Sequence, residues 1–373
     1  MTLFDRFDNL ALWGEKKFGR LGWTAILSFI LLVLACIYVR PGTNYIGHGV
    51  NFEELSRHPF GPYDITTVGY RIMTPLIAFL LGLRGKPFII LNLVFAAINI
   101  GLIYYWFRSR LDRPGDALLA ALTITFSCVI LVTIFYAGFC DALTYLSIFL
   151  LWWFRSRPVY FYPIFMIGVL NHESVLFLIP GFIFFKLVES DKRWKTLLEL
   201  VIGFGLVLSF YGWFRGWIDS RVRIELGYKY YLKPLLDDPL VWVKRAFTHW
   251  PIGWFSVFKL LWIFPMAAAV SLWQRGDRNT VIGMLLFFGG AAAQLIIAYD
   301  TTRMLTLSYL VMIIALEHLL RTNAFEFRRW APWIFLFNLL IPQLYTAAQI
   351  IEIMKSTPMN LLQMILHGTP WWP

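Results

Sequence analysis

Residues 70–87 read YRIMTPLIAFLLGLRGKP, and whether they cross a membrane decides the side on which every later connector lies. The apolar centre is bounded by Arg71 and Arg84 and is shorter than the roughly 17–25 residues a full helical span needs. Counted as a span, it inverts all that follows. We read it instead as a re-entrant or interfacial element on the outer side.

The rest of the chain is membrane-like. Its 373 residues are 59% hydrophobic and 15% charged, whereas a soluble domain is about 45–50% apolar and about 25% charged. Mean hydropathy is +0.64. The excess runs over nearly the whole length, which excludes an ordinary soluble enzyme. It predicts an all-α, polytopic bundle forming one integral domain over 1–373, with about eleven spans, or twelve if 70–87 crosses. Several apolar runs, such as 142–154 and 159–171, are shorter than a full span, as helices meeting a water-filled cavity can be. The last run is placed at 331–350. Residues 1–20 read as a cytoplasmic interfacial helix leading into a retained first span. Cys36, Cys128 and Cys140 lie in or beside apolar runs and read as small hydrophobes, so no metal set is expected.

Orientation follows from the basic connectors. Lys16, Lys17 and Arg20 place the N-terminus inside, and Arg108, Arg110, Arg113, Arg155, Arg275, Arg321 and Arg328 mark further inner connectors. The formal charge of +11 is concentrated at the ends of apolar runs. It reads as topology anchoring and lipid contact, with the bilayer as partner and no nucleic acid. The outer side then receives 40–87, the turn at Asp141, the turn Asn171-His172-Glu173, the loop 218–250 and Asp300–Arg303.

Those outer connectors hold the chemistry. Glu53 and Glu54 stand side by side, and a carboxylate at an apolar rim can act as a general base. The same residues fit the first turn of a surface helix. Asp141 opens a helix, as a cap or as a further acid. In VLNHESVLFLIP (169–180), His172 and Glu173 interrupt an apolar run, either as a turn capped by Asn171 or Ser174 or as cavity-lining groups. Asp300 and Arg303 stand at ion-pair spacing, while an arginine fork also suits phosphate. Arg71 is a second phosphate candidate. The loop 218–250 interleaves Arg221, Arg223 and Lys229 with Tyr228, Tyr230 and Tyr231, a composition for a lipid phosphate or sugar ring or for an interfacial helix.

With acids in FEEL (52–55) and FCDALTYL (139–146), then LNHESVLFLIP and DTTRMLTLSYL, the chain resembles the GT-C class of integral-membrane glycosyltransferases, mannosyltransferase-like members included. The resemblance covers residues 40 to about 320. It departs in having no DxD or E-x-D in the first outer loop. It implies transfer of a sugar from a polyprenyl-phosphate donor to a lipid, glycan or protein acceptor at the outer face of a bacterial inner membrane. Glu53 or Glu54 would be the base, Asp141 would assist, and Arg71, His172, Glu173, Asp300, Arg303, Arg221 and Arg223 would bind substrate. A divalent cation, Mg or Mn, is compatible with such chemistry. The competing classes are a transporter or flippase for a lipid-linked or anionic solute, an O-antigen-type polymerase or ligase, and a non-enzymatic assembly subunit.

Overall fold

A backbone in hydrocarbon must satisfy its own hydrogen bonds, so long apolar runs become helices. In the computed structural model, which describes residues 3–42, 48–61, 69–221, 233–298, 300–347, 350–354 and 356–368, they do. In chain order these are α1 (Leu3–Tyr38), α2 (His48–Arg57), α3 (Met73–Leu80), α4 (Phe88–Arg110), α5 (Pro114–Thr125) and α6 (Cys128–Phe135). Next come α7 (Asp141–Trp153), α8 (Pro158–Asn171), a 3-10 turn (Glu173–Leu178), α9 (Ile179–Val188) and α10 (Arg193–Asp219). Short helices α11 (Lys233–Asp237) and α12 (Val241–Phe247) precede α13 (Trp250–Phe258), α14 (Ile263–Gln274) and α15 (Arg278–Ala293). The chain finishes with α16 (Thr301–Thr306), α17 (Tyr309–Thr322), α18 (Phe327–Leu340), strands β1 (Gln343–Ala347) and β2 (Ile350–Met354), and α19 (Thr357–His367).

Six helical stretches among the described residues are long and apolar enough to cross a membrane, and α5 with α6, bent by 44°, adds a seventh if taken as one. The protein is therefore a multi-spanning, almost wholly helical membrane protein. The larger number expected from sequence includes helices such as α7 and α8, which are apolar but short. The stretch Thr301–Thr322 is the innermost, with 89% of its apolar window buried.

Charge sorts the two ends of the bundle. At one end Arg108 pairs with Glu15 at 2.8 Å, Arg113 with Asp8 at 3.1 Å, Arg110 with Glu317 at 3.1 Å and Arg328 with Asp116 at 2.7 Å. These are the connectors read from sequence as cytoplasmic. Helix α1 breaks at Gly19, whose φ of 70° is one that glycine adopts without steric cost. Before the break, the Asp8 carboxylate accepts from the Gly115 backbone N–H at 2.8 Å, satisfying a free donor in the first turn of α5. A Cβ on Gly115 would lie 2.9 Å from Asp8 backbone atoms, so this approach requires glycine there.

The opposite end collects α2, α3, the starts of α7 and α16, the end of α8 and the hairpin. Helix α3 is about 12 Å long at 1.5 Å per residue, too short to cross a ~30 Å core alone. The apolar run placed at 331–350 is not continuous helix. Ile341 is extended (φ −82°, ψ 125°), as expected of a residue before proline, and α18 stops at Leu340. The chain then turns back as an antiparallel hairpin, with Tyr345 opposite Glu352. This hairpin and an isolated bridge between Val39 and Ser356 are the β-structure among the described residues, too little to alter the all-α class.

Candidate functional site

The break in the run 169–180 becomes a buried junction. Asn171, the last residue of α8, is fully buried. Its Oδ1 accepts from the Thr74 backbone N–H at 3.1 Å and from the Thr74 hydroxyl at 2.6 Å. Its Nδ2 donates to the Cys140 carbonyl at 2.6 Å and to the Thr144 hydroxyl at 2.8 Å. One amide thus ties α3, α7 and α8 together. The turn is capped by neither Asn171 nor Ser174, because the His172 Nδ1 accepts from the Ser174 N–H at 3.2 Å.

Beside this junction Arg303 sits between two carboxylates. Its guanidinium lies 3.0 Å from Asp141 and 3.1 Å from Asp300, with all three side chains largely buried. Asp141 is the first residue of α7 and its carboxylate makes no cap, being turned to Arg303 instead. Asp300 is the N-cap of α16, accepting from the Arg303 N–H at 3.2 Å, and it also accepts from the Tyr345 hydroxyl at 2.6 Å. Burial pushes the Asp300 carboxyl above its ordinary value although Arg303 pulls the other way. Arg303 also stacks over Phe139 at 4.6 Å. The hairpin roofs this group: Tyr136 donates to Glu352 at 2.8 Å, and its ring lies 4.8 Å from that of Tyr345.

The third part is Arg71, which holds Glu173 through two bonds of 2.6 and 3.1 Å. Burial raises the Glu173 carboxyl, but Arg71 outweighs it and holds the group below the usual carboxylate range. The side chain is still 31% exposed, so pairing rather than burial decides its state. His172 lies within electrostatic reach of both ion pairs, and burial, reinforced by Arg71, lowers it to about 3. A neutral imidazole here has a sign consequence. Below about pH 6.5 the unfolded chain takes up a proton that the folded chain refuses, so stability falls with pH across the window from about 6.5 to 3. His172→Gln is expected to reduce the drop in melting temperature between pH 7.5 and 5. An unchanged drop would show that the ring is not held neutral.

The structure therefore brings Asp141, Asp300, Arg303, Arg71, His172 and Glu173 to one place. Glu53 and Glu54 sit on α2, where both pair with Arg57, at 3.1 and 3.8 Å. Glu53 is 15% exposed and Glu54 68%, so they do not share an environment. Helix α2 reaches the cluster through Phe52, whose ring packs 6.2 Å from Phe139. Arg221 is exposed at the end of α10, over Trp217, and donates to the Phe60 carbonyl at 3.3 Å. Arg223, like Tyr228, Lys229, Tyr230 and Tyr231, lies outside the described residues.

Sequence reading missed Tyr136, Tyr345 and Glu352, because the hairpin was hidden in an apolar run. The Ile341-Pro342 pair and the β-branched Ile350, Ile351 and Ile353 were the available signal. It also passed over Arg215, a cation inside an apolar run, which is a signal in its own right.

Two carboxylates, Asp141 and Asp300, face each other across Arg303, and among the described residues no three His, Cys, Asp or Glu side chains converge as a metal-ligand set. With the Arg303 guanidinium already between the two carboxylates, the group present does not fit a divalent cation. A surface hollow of about 460 Å³ is lined by Phe184, Leu187, Val188, Arg193, Trp194 and Leu197, at the far end of the bundle from this cluster.

The fold and cluster define a multi-spanning membrane protein with buried acid–arginine pairs gathered at one end. Comparisons with protein families, with curated proteins and with solved structures found no match for this chain.

Proposed function

We propose that the chain is a membrane glycosyltransferase of GT-C type, moving a sugar from a polyprenyl-phosphate donor to a lipid, glycan or protein acceptor at the outer face of a bacterial inner membrane. The observation that carries this reading is convergence: acids and arginines from four connectors far apart in sequence meet at one end of the bundle. On this reading the short passages through α7, α8 and α9 are spans around an aqueous cavity and α18 is a further one, giving about eleven in all.

Glu53 is the preferred base over Glu54. It is the more enclosed of the two, and α2, which carries both, contacts Phe139 and, through it, Arg303. It would take the proton of the acceptor hydroxyl as the hydroxyl oxygen bonds to the sugar's anomeric carbon, with the donor phosphate leaving on the electron pair of the broken bond. Asp141 would orient the acceptor and Arg303 would balance its charge. In membranes supplied with a polyprenyl-phosphate hexose, Glu53→Gln is expected to lower transfer by about 10²–10⁴-fold, the range for removal of a general base. Glu54→Gln is expected to retain most activity. Equal activity of Glu53→Gln and wild type at matched protein amounts would remove Glu53 from this role.

A specific observation favours a second reading. Lys259 is buried at a break between α13 and α14, with φ 51°, and broken helices with buried ions are a transporter feature. Its amine, however, donates to the carbonyls of Asn338 and Ile341 at 3.0 and 2.9 Å, where it closes the end of α18. That structural task leaves the transferase reading ahead.

A further inference from the structure

Two of the arginines that sequence offers for phosphate are occupied: Arg303 by Asp141 and Asp300, Arg71 by Glu173. Arg215 is different. It projects from α10 one turn before the helix ends at Asp219, and it has no ion pair with a carboxylate among the described residues. Its guanidinium stacks on the Tyr70 ring, 4.2 Å from its centre, and lies 5.8 Å from the centre of the Tyr211 ring. Tyr70 is fixed in turn by donating its hydroxyl to Asp219, so Asp219 positions the ring.

A second observation points to the same place. Tyr211 is buried, 5% exposed, and its hydroxyl has no hydrogen-bond partner among the described residues. That hydroxyl is within electrostatic reach of Arg215, Arg71 and Glu173. A buried hydroxyl without a partner is costly and marks a place where a ligand or water completes the set. Tyr211 and Arg215 are four residues apart on α10 and so share one face. Beside them Gly212 and Gly216 face open space, with no atom within 4 Å of where a Cβ would stand. The neighbouring Trp213 is 63% exposed, as on a surface that meets lipid.

From these features we propose that Arg215, flanked by Tyr70 and completed by the Tyr211 hydroxyl, is a binding site for the phosphate of an amphiphile entering sideways from the bilayer. One edge of the Arg215 fork lies against the Tyr70 hydroxyl, and the N–H groups it leaves free are those offered to the phosphate oxygens. The hydroxyl of Tyr211 supplies a third donor, and the open track at Gly212 and Gly216 takes the lipid tail. The choice of a prenyl tail rests on the transferase reading above; the phosphate site itself does not.

The test uses the full-length protein in nanodiscs of zwitterionic lipid, titrated with a short-chain prenyl monophosphate and, in parallel, with inorganic phosphate. Tryptophan fluorescence reports occupancy, since Trp213 and Trp217 flank Arg215. Saturable binding of the prenyl phosphate is expected, weakened by about tenfold or more in Arg215→Gln. Tyr211→Phe should weaken it less, and Arg215→Lys should fall between wild type and Arg215→Gln. Inorganic phosphate should bind far more weakly, and equal affinity for both would overturn the lipid assignment. Prenyl phosphate affinity unchanged in Arg215→Gln would overturn the site. Binding that depends on Arg215 in a protein showing no sugar transfer would leave this site standing and remove the transferase reading. Full transfer by Arg215→Gln would do the reverse.

Discussion

Arg303→Ala is expected to destabilise the protein by about 3–5 kcal/mol, the cost of removing one partner from a buried ion pair. Two carboxylates face this guanidinium, and both are enclosed. Without it, Asp141 and Asp300 would stand in a low-dielectric space with only the Tyr345 hydroxyl and the Arg303 backbone N–H as donors to Asp300. The pair's own Coulomb energy matters less than the desolvated charge left behind. Arg303→Lys keeps the charge but loses the fork and should fall between the two. Thermal unfolding in detergent, with the folded yield by size exclusion, measures this. A variant within about 0.5 kcal/mol of wild type would mean that the cluster is open to water. The consequence for function is direct: loss of sugar transfer in Arg303→Ala does not by itself identify a substrate contact, whereas Asp141→Asn leaves Arg303 paired with Asp300 and is the cleaner probe.

Asn171→Ala is expected to cost about 3 kcal/mol, since each buried polar group left unsatisfied costs about 1–3 kcal/mol. The amide satisfies the Thr74 N–H, one of the free donors at the start of α3, and two groups at the start of α7. Helix α3 is eight residues long and cannot hold itself in place by its own hydrogen bonds. Its loss of anchorage should release Arg71 from Glu173 as well. Hydrogen exchange over residues 72–80 checks this: faster exchange there than over α4 is expected, and uniform protection would contradict the anchoring role.

Much of this arrangement could be read from sequence. Composition set the class, and the clusters around Arg108, Arg113 and Arg328 marked one end because charges cannot stay in hydrocarbon. The pairing of Asp300 with Arg303 followed from their spacing. Their meeting with Asp141 did not, since Arg303 is 162 positions from Asp141 in sequence and only the packing of α7 against α17 and of α6 against α16 brings them together. The pairing of Arg71 with Glu173 was hidden for the same reason. Glu53 and Glu54 looked equivalent in FEEL, and helical geometry then turned one inward and the other to water. The hairpin was concealed because apolar residues of a strand and of a short helix look alike in a hydropathy window.

We propose that the acid–arginine end of the bundle carries sugar transfer from a lipid-linked donor. The most direct measurement is conversion of a labelled polyprenyl-phosphate hexose by the purified protein in proteoliposomes fused with acceptor-bearing membranes, comparing wild type with Asp141→Asn at equal folded amounts. The account predicts label moving to an acceptor with wild type and a loss of about 10²-fold or more with Asp141→Asn. No conversion above protein-free liposomes, or equal conversion by both proteins, would contradict it.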